Sequence, residues 1–374
     1  MRRPRAHLRA GHAPPVMAAP ATAPHPMPAP FNVALLGYGL AGRVFHAPLI
    51  GASAGLRLHS VVTRQAEAVA RDWPQARVQA DPAAVFADPD IDLVVVATPN
   101  HTHAALAMAA LQAGKHVVVD KPFALDVAEA QAMIDAARKA GRVLSAFHNR
   151  RWDADFLALR ALLDQGALGQ VAELHSHFDR FRPQVPDRWR DRAGPGAGLW
   201  YDLGPHLADQ VLQLFGPPQA VYADLAMQRD GASAVDYFHV QLRYPRTRVH
   251  LHAGSLVPGG GLRFAVHGSA GSWSKHGLDP QEDALRAGQR PGGADWGRDP
   301  QPGRLLRLDD DGRMRPCAGP QPHGDYPAYY AAVAAAITGH GPVPVPAQEA
   351  LQVMRLIELG LASARQRREL EWSP

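Results

Sequence analysis

The sequence predicts an α/β fold in two parts: a doubly wound parallel sheet, then a unit with an open, mainly antiparallel sheet. Three observations carry this. Between residues 31 and 150, short apolar runs alternate with helical stretches, the pattern of a parallel sheet with crossover helices. A G-x-G-x-x-G motif directly follows the first apolar run. From Val171 onward, alternating runs follow one another without intervening helices, as in an antiparallel sheet.

Taken in order, Val33 to Leu36 is a short apolar run of the kind buried on both faces of a parallel sheet. Gly37, Gly39 and Gly42 follow, with Leu40 inside the motif. The first glycine permits a sharp turn off the strand. The second lets a pyrophosphate reach the backbone, and the third lets the next helix pack close to the sheet. The N–H groups at that helix start attract phosphate. The spacing therefore predicts a dinucleotide site in a Rossmann-type unit, against the plainer alternative of a structural tight turn. Leu58–Thr63 reads as a second strand, Gln65–Trp73 as a helix and Ile91–Thr98 as the strongest strand signal. Ala104–Ala113 reads as a helix stopped by Gly114, and His116–Val119 as a buried strand. A helix over Val127–Ala140 ends at Gly141, and Val143–Phe147 is a strand.

Phe156–Leu163 reads as helical. Strands are expected at Val171–Phe181, Ala220–Met227, Tyr237–Tyr244, Arg248–Ser255 and Phe264–His267. Residues 276–303, rich in Gly, Pro and Asp, read as a loop or insertion. Helices at about Tyr326–Ile337 and Gln348–Gln366 close the chain. The expected division is a disordered tail at 1–30, a dinucleotide-binding domain at 31–150, and a substrate-binding and oligomerisation domain at 151–374.

Composition narrows the function. The chain has 374 residues, 46% hydrophobic and 20% charged, as in globular proteins with a large core. Its formal net charge is +4, but Arg2, Arg3, Arg5 and Arg9 account for that excess. The remainder is formally neutral, which argues against nucleic acid as a partner. The tail is rich in Ala, Pro and His and lacks the apolar centre of a signal peptide. No apolar stretch approaches the roughly 18 residues that span a membrane, so no membrane partner is expected. Cys317 is the single cysteine, which excludes an intramolecular disulfide and fits a cytoplasmic setting.

Two further constellations carry chemistry. Asp120-Lys121-Pro122 directly follows a strand, and ligands bind at the strand C-termini of such sheets. Alone, Lys121 is equally a solvated loop lysine. In Tyr201-Asp202-Leu203-Gly204-Pro205-His206, Leu203, Leu207, Val211 and Leu214 recur at helical spacing, so this stretch is a helix with one buried face. Asp202 suits its N-cap, and His206 lies one turn on, so both side chains point the same way. A Gly-rich run (Gly194, Gly196, Gly198) precedes them and allows a flexible approach to a site. The plainer alternative is a cap and a core histidine.

Together these motifs resemble the Gfo/Idh/MocA oxidoreductases, over essentially all of residues 31–372. The resemblance implies a Rossmann domain and a C-terminal α/β domain with an open sheet. Lys121 and Pro122 match the family's lysine–proline motif, and Asp202 and His206 its Asp-x-x-x-His motif. Thr98, Pro99 and Asn100, followed by His103, resemble the segment lining the cofactor near the nicotinamide. Asp120 stands where the family usually has Glu. GRVFHAP, DKP, NRRWD and YDLGPH resemble the branch with scyllo-inositol dehydrogenase-like enzymes.

Alcohol oxidation needs a base for the hydroxyl proton. Histidine, at about 6.5, is poised for this, while an ordinary lysine, at about 10.4, stays protonated. His206 is therefore the expected acid/base, Lys121 the hydrogen-bond donor to the reacting oxygen and to the nicotinamide ribose or amide, with Asp120 beside it at the cofactor, and Asp202 the group that orients the histidine or binds a second substrate hydroxyl. The second strand ends in Thr63-Arg64 rather than an acid, so NADP is expected, with NAD possible. Arg151, Trp152, Asp153, Arg180, Arg182, Trp189 and Arg190 suit substrate recognition and domain-interface salt bridges equally. His148, His175 and His177 form no helical metal motif, and no metal is expected. The expected partner is a small polyol or sugar, in a homo-oligomer (dimer or tetramer). The competing readings are a protein that retains bound nucleotide for transient redox chemistry, such as glycoside hydrolysis, and a non-catalytic nucleotide sensor.

Overall fold

A computed structural model describes residues 29–258 and 261–373. The expected tail falls almost wholly on residues 1–28, outside the described residues.

The first sheet has six parallel strands: β1 (Phe31–Leu36), β2 (Leu56–Val62), β3 (Arg77–Gln79), β4 (Leu93–Val96), β5 (His116–Val119) and β6 (Leu144–Ala146). Their order is β3-β2-β1-β4-β5-β6, the doubly wound arrangement whose direction reverses between β1 and β4. Val33–Leu36, Leu93–Val96 and Val117–Val119 are wholly buried, which is why they read as unbroken apolar runs. The helices are α1 (Ala47–Ala52), α2 (Ala66–Asp72), α3 (Pro82–Ala87), α4 (His103–Gln112) and α5 (Val127–Ala140). Asp126 caps α5 through Glu129 N, and Gly141 ends it at φ +62°. β3 and α3 were not foreseen. Both are short, and Arg77 and Val78 are exposed.

The glycine turn lies at the switch point. A Cβ on Gly37, at φ +96°, would stand 2.6 Å from Ala97 O on the neighbouring strand's loop. A Cβ on Gly42 would collide with Gly37 O. Glycine is thus required at both positions for the helix start to fold against the turn. That start (Ala41–His46) is a π-helical turn, with Ala47 N bonding back to Gly42 O. Pro48 then sits at the start of α1, directly after the π-helical turn.

The remaining helices are α6 (Ala154–Asp164), α7 (Leu199–Phe215), α8 (Gln281–Arg286), α9 (Pro327–Ile337) and α10 (Ala347–Gln366). The second sheet comprises β7 (Val171–His177), β8 (Ala220–Ala226), β9 (Tyr237–Arg243), β10 (Arg248–Gly254), β11 (Leu262–Gly268), β12 (Gly271–His276), β13 (Arg304–Leu308), β14 (Met314–Cys317) and β15 (Leu370–Glu371). Its nine strands run β14-β13-β12-β11-β7-β10-β9-β8-β15, antiparallel except for the β7–β10 pair. Strict alternation of burial along β9 and β10 leaves one face packed and the other half-exposed. α7 and α10 pack together, with the Trp200 indole N–H donating to Ile357 O at 3.0 Å.

Candidate active site

Two strand ends and one helix build the site. β5 delivers Asp120 and Lys121 at the C-terminal edge of the parallel sheet, where such folds take ligands. α7 carries Asp202 and His206 one turn apart, on the side facing them. Its Leu203, Leu207 and Val211 are buried, so packing fixes the helix's rotation. α7 starts one turn earlier than the sequence predicts. Gly198 is its N-cap, without a side-chain bond, and Asp202 already lies inside the first turn. The Asp202 carboxylate is therefore not a cap. It is free to accept Lys121 Nζ at 2.8 Å, and the Asp202 carbonyl accepts the same ammonium at 2.8 Å.

These groups line a cleft of about 180 Å³ together with Leu40, Phe45 and Asn149. Burial alone would raise the Asp202 pKa. Lys121, Arg180 (3.3 Å) and Arg190 (4.0 Å) outweigh burial and hold the carboxyl far below the carboxylate range. His206 is buried and flanked by the charges of Lys121 and Arg150, which push its pKa well below the ordinary value. Its imidazole is neutral at neutral pH, the form that takes a proton. Burial also acts to raise the Asp120 pKa, but His46, Lys121 and His103 lower it to about 2. Asp120 accepts Lys121 N at 2.8 Å and faces His46 Nε2 at 3.7 Å. The shorter acid thus shapes the strand end beneath the lysine.

The nucleotide-motif residues stand at the same sheet edge. A Cβ on Gly39 would meet only open space, so a phosphate can approach its backbone. Arg64 is exposed at the end of β2, and Thr63 Oγ1 accepts Gln65 N at 3.0 Å. The segment from Thr98 to His103 is tied down internally. Thr98 Oγ1 and Thr102 Oγ1 are 2.6 Å apart, and Pro99 O accepts Thr102 Oγ1 at 2.7 Å. His103 is buried, with one ring nitrogen 2.8 Å from Pro122 O and the other 2.9 Å from Thr98 O. Asn100 is buried and donates to Gly196 O at 3.0 Å. Asn100 and His103 therefore bind the chain itself. The glycine run before α7 is anchored through Gly196 rather than left flexible.

The outer wall is basic. Arg150, Arg180, Arg182, Arg188, Arg190 and Arg229 all reach the cleft. Arg150 and Arg180 stack on the Phe178 ring at 4.6 and 5.1 Å. Sequence reasoning missed Arg150, Arg188, Arg229 and Glu282. Glu282 comes from α8, inside the segment read as a loop, and no periodicity marks so short a helix. Arg151, by contrast, turns away into a buried interface, as discussed below.

A doubly wound nucleotide-binding domain, an open-sheet domain and a Lys–Asp–His cleft between them define an oxidoreductase of the NAD(P)-dependent class. Residues 31–148 match the family model "Oxidoreductase family, NAD-binding Rossmann fold", and residues 160–372 match "Oxidoreductase family, C-terminal alpha/beta domain". The chain belongs to the Gfo/Idh/MocA family. It is 52% identical to the uncharacterized oxidoreductase YdgJ of Escherichia coli K12 over 339 residues, covering 91% of this chain and 98% of that one. It is 40% identical to the scyllo-inositol 2-dehydrogenase (NADP(+)) IolW of Bacillus subtilis 168, covering 91% and 95%. A solved Yersinia pestis protein superposes with TM-score 0.88 at 50% identity, covering 93% of this chain and 99% of that one. Among the described residues, no helix is long and apolar enough to cross a membrane.

Proposed function

We propose that this oxidoreductase interconverts a secondary alcohol and a ketone on a cyclic polyol or sugar, and prefers NADP to NAD. The observation that carries this reading is the Lys121–Asp202 pair set beside a neutral, buried His206 in one cleft. When bound, the nicotinamide accepts or supplies the hydride. In the oxidation direction His206 takes the hydroxyl proton. Lys121 donates a hydrogen bond to the reacting oxygen, and its ammonium is aimed by the Asp202 carboxylate and carbonyl. The guanidinium groups around the cleft offer forked donors to the ring hydroxyls. The likeness to IolW supports the inositol-like substrate class. Inositols and sugars, each assayed by nicotinamide absorbance with both cofactors, test the reading. Turnover of none of them overturns it.

Cofactor choice rests on β2 being followed directly by Thr63 and an exposed Arg64, with no acid at that place to repel a 2′-phosphate. A hydrogen bond to a charged group contributes about 1.5–3 kcal/mol, a preference of about ten- to hundredfold. Wild-type kcat/KM should favour NADP by that factor, and Arg64→Ala should erase most of it. A wild type that favours NAD, or a variant with an unchanged ratio, removes Arg64 from this role.

The protonation state of His206 predicts a pH profile. A histidine at the ordinary value of about 6.5 loses about three-quarters of its base form by pH 6. His206, depressed by burial and nearby cations, keeps its base form there. kcat/KM for alcohol oxidation should therefore stay nearly level from pH 7.5 to about 6. A fourfold fall centred near pH 6.5 contradicts the assignment.

A further inference from the structure

The outer face of the second sheet carries an ordered row of metal-ligand side chains that the redox site does not use. Alternation along β7 places Glu173, His175 and His177 on one face, and Asp179 continues the series just past the strand. The parallel pairing of β7 with β10 sets His250 beside His175 and His252 beside His177. His239 on β9 pairs with His252 from the other side. Each carboxylate thus meets one histidine from its own segment and one from the next strand.

The contacts are close. Glu173 Oε1 lies 2.7 Å from His175 Nε2 and 3.5 Å from His250 Nε2. Asp179 Oδ2 lies 3.4 Å from His177 Nδ1, and Asp179 Oδ1 lies 3.4 Å from His252 Nε2. In each set of three, the ligand atoms fall within 4.8 Å of one another. The rings of His175 and His250 stack at 4.6 Å, and His239 stands 5.6 Å from His250 and 5.7 Å from His252.

We propose that this face holds two adjacent sites for a divalent transition metal such as zinc, one on Glu173, His175 and His250 and the other on His177, Asp179 and His252. Two imidazoles and one carboxylate are a donor set that zinc accepts, at about 2.0–2.2 Å per bond, with a fourth position left for water. Ligands on one such ion stand roughly 3.3–3.6 Å apart, which three of the four carboxylate–imidazole separations match, while the 2.7 Å contact of Glu173 with His175 would open on metal binding. The expectation of no metal rested on spacing along single segments. These sets are assembled across strands, where spacing in the sequence carries no signal.

The test is equilibrium dialysis of the full chain, purified without an affinity tag and stripped with chelator, against Co²⁺ or Zn²⁺. Visible absorption reports Co²⁺ coordination. The expected stoichiometry is two ions per chain. His250→Ala and His177→Ala should each remove one ion, and the double variant both. Glu173→Gln repeats the first arm with a milder change should His250→Ala fold poorly. Dehydrogenase activity should stay at the wild-type level in every variant, since none of these residues lines the cleft. The N-terminal segment carries His7, His12 and His25, which can take ions by themselves. A stoichiometry that all variants leave unchanged, or no retained ion at all, overturns the proposal.

Discussion

His206→Ala and Lys121→Ala should each lower kcat by about 10²–10⁴-fold, the usual range for loss of a positioned acid–base group, with little change in nucleotide affinity. The reason is geometric. Both side chains point into the cleft from outside the glycine turn, and neither belongs to that turn. The two variants should differ in stability. His206 has a buried Nδ1 with no hydrogen-bond partner, so its removal abandons little. Lys121 neutralises a half-buried carboxylate, so Lys121→Ala leaves Asp202 to Arg180 and Arg190 and should lower Tm as well. Lys121→Met, with similar bulk, separates packing from charge. Steady-state kinetics with a fluorescence titration of the nucleotide decide the matter. A purified variant with near wild-type turnover removes that residue from the mechanism.

Arg151→Ala should destabilise the fold by about 3–5 kcal/mol, the cost of leaving a buried charge without its partner. Arg151 lies just after β6 and is buried. Its Nε and Nη2 donate to Asp209 on α7 at 2.9 and 2.6 Å, and its Nη1 donates to Glu349 on α10 at 2.6 Å. One guanidinium therefore pins two helices of the second domain to the end of the parallel sheet. Asp209 lies two turns beyond Asp202 on the same helix, so the clamp also positions the turn that carries Asp202 and His206. The expected thermal shift is roughly 5 °C, and kcat should fall in the fraction that remains folded. An unchanged Tm would show that Arg151 makes no net contribution.

Acid should weaken the fold through its histidines. Burial holds His148 and His206 below their ordinary pKa, and burial with Arg142 lowers His116 to about 4. Below about pH 6.5 the unfolded chain takes up protons at these histidines that the folded chain refuses; burial raises Asp153 and brings Asp279 to about 6, which acts the other way, but the depressed histidines outnumber them, so stability falls as pH falls. Tm should be level from pH 8 to 7 and decline from about 6.5 downward. A Tm that rises between pH 7 and 5.5 contradicts these buried neutral states.

The parallel sheet was legible because its central strands are buried on both faces. Leu93–Val96 and Val117–Val119 had to be apolar throughout, and the chain declares them as such. The glycine turn was legible for a steric reason, since no other residue clears Ala97 O at position 37. Lys121 and the Asp202–His206 pair could be singled out by their place after a strand and by helical spacing. What one-dimensional periodicity could not convey is anything that depends on partners distant in the chain. β13 to β15 are too short or too exposed to leave a pattern, and they exist because neighbouring edges supply their hydrogen bonds. The role of Asp202 depended on where α7 begins, which packing of Leu203 and Leu207 decides rather than capping propensity. Arg151 and Arg180 are similar residues in similar company, yet one became a buried clamp and the other a wall of the cleft. Only the docking of α7 and α10 against the sheet end could choose between those fates, because a charge is buried where its partners are, and its partners lie as far as 198 residues away in the chain.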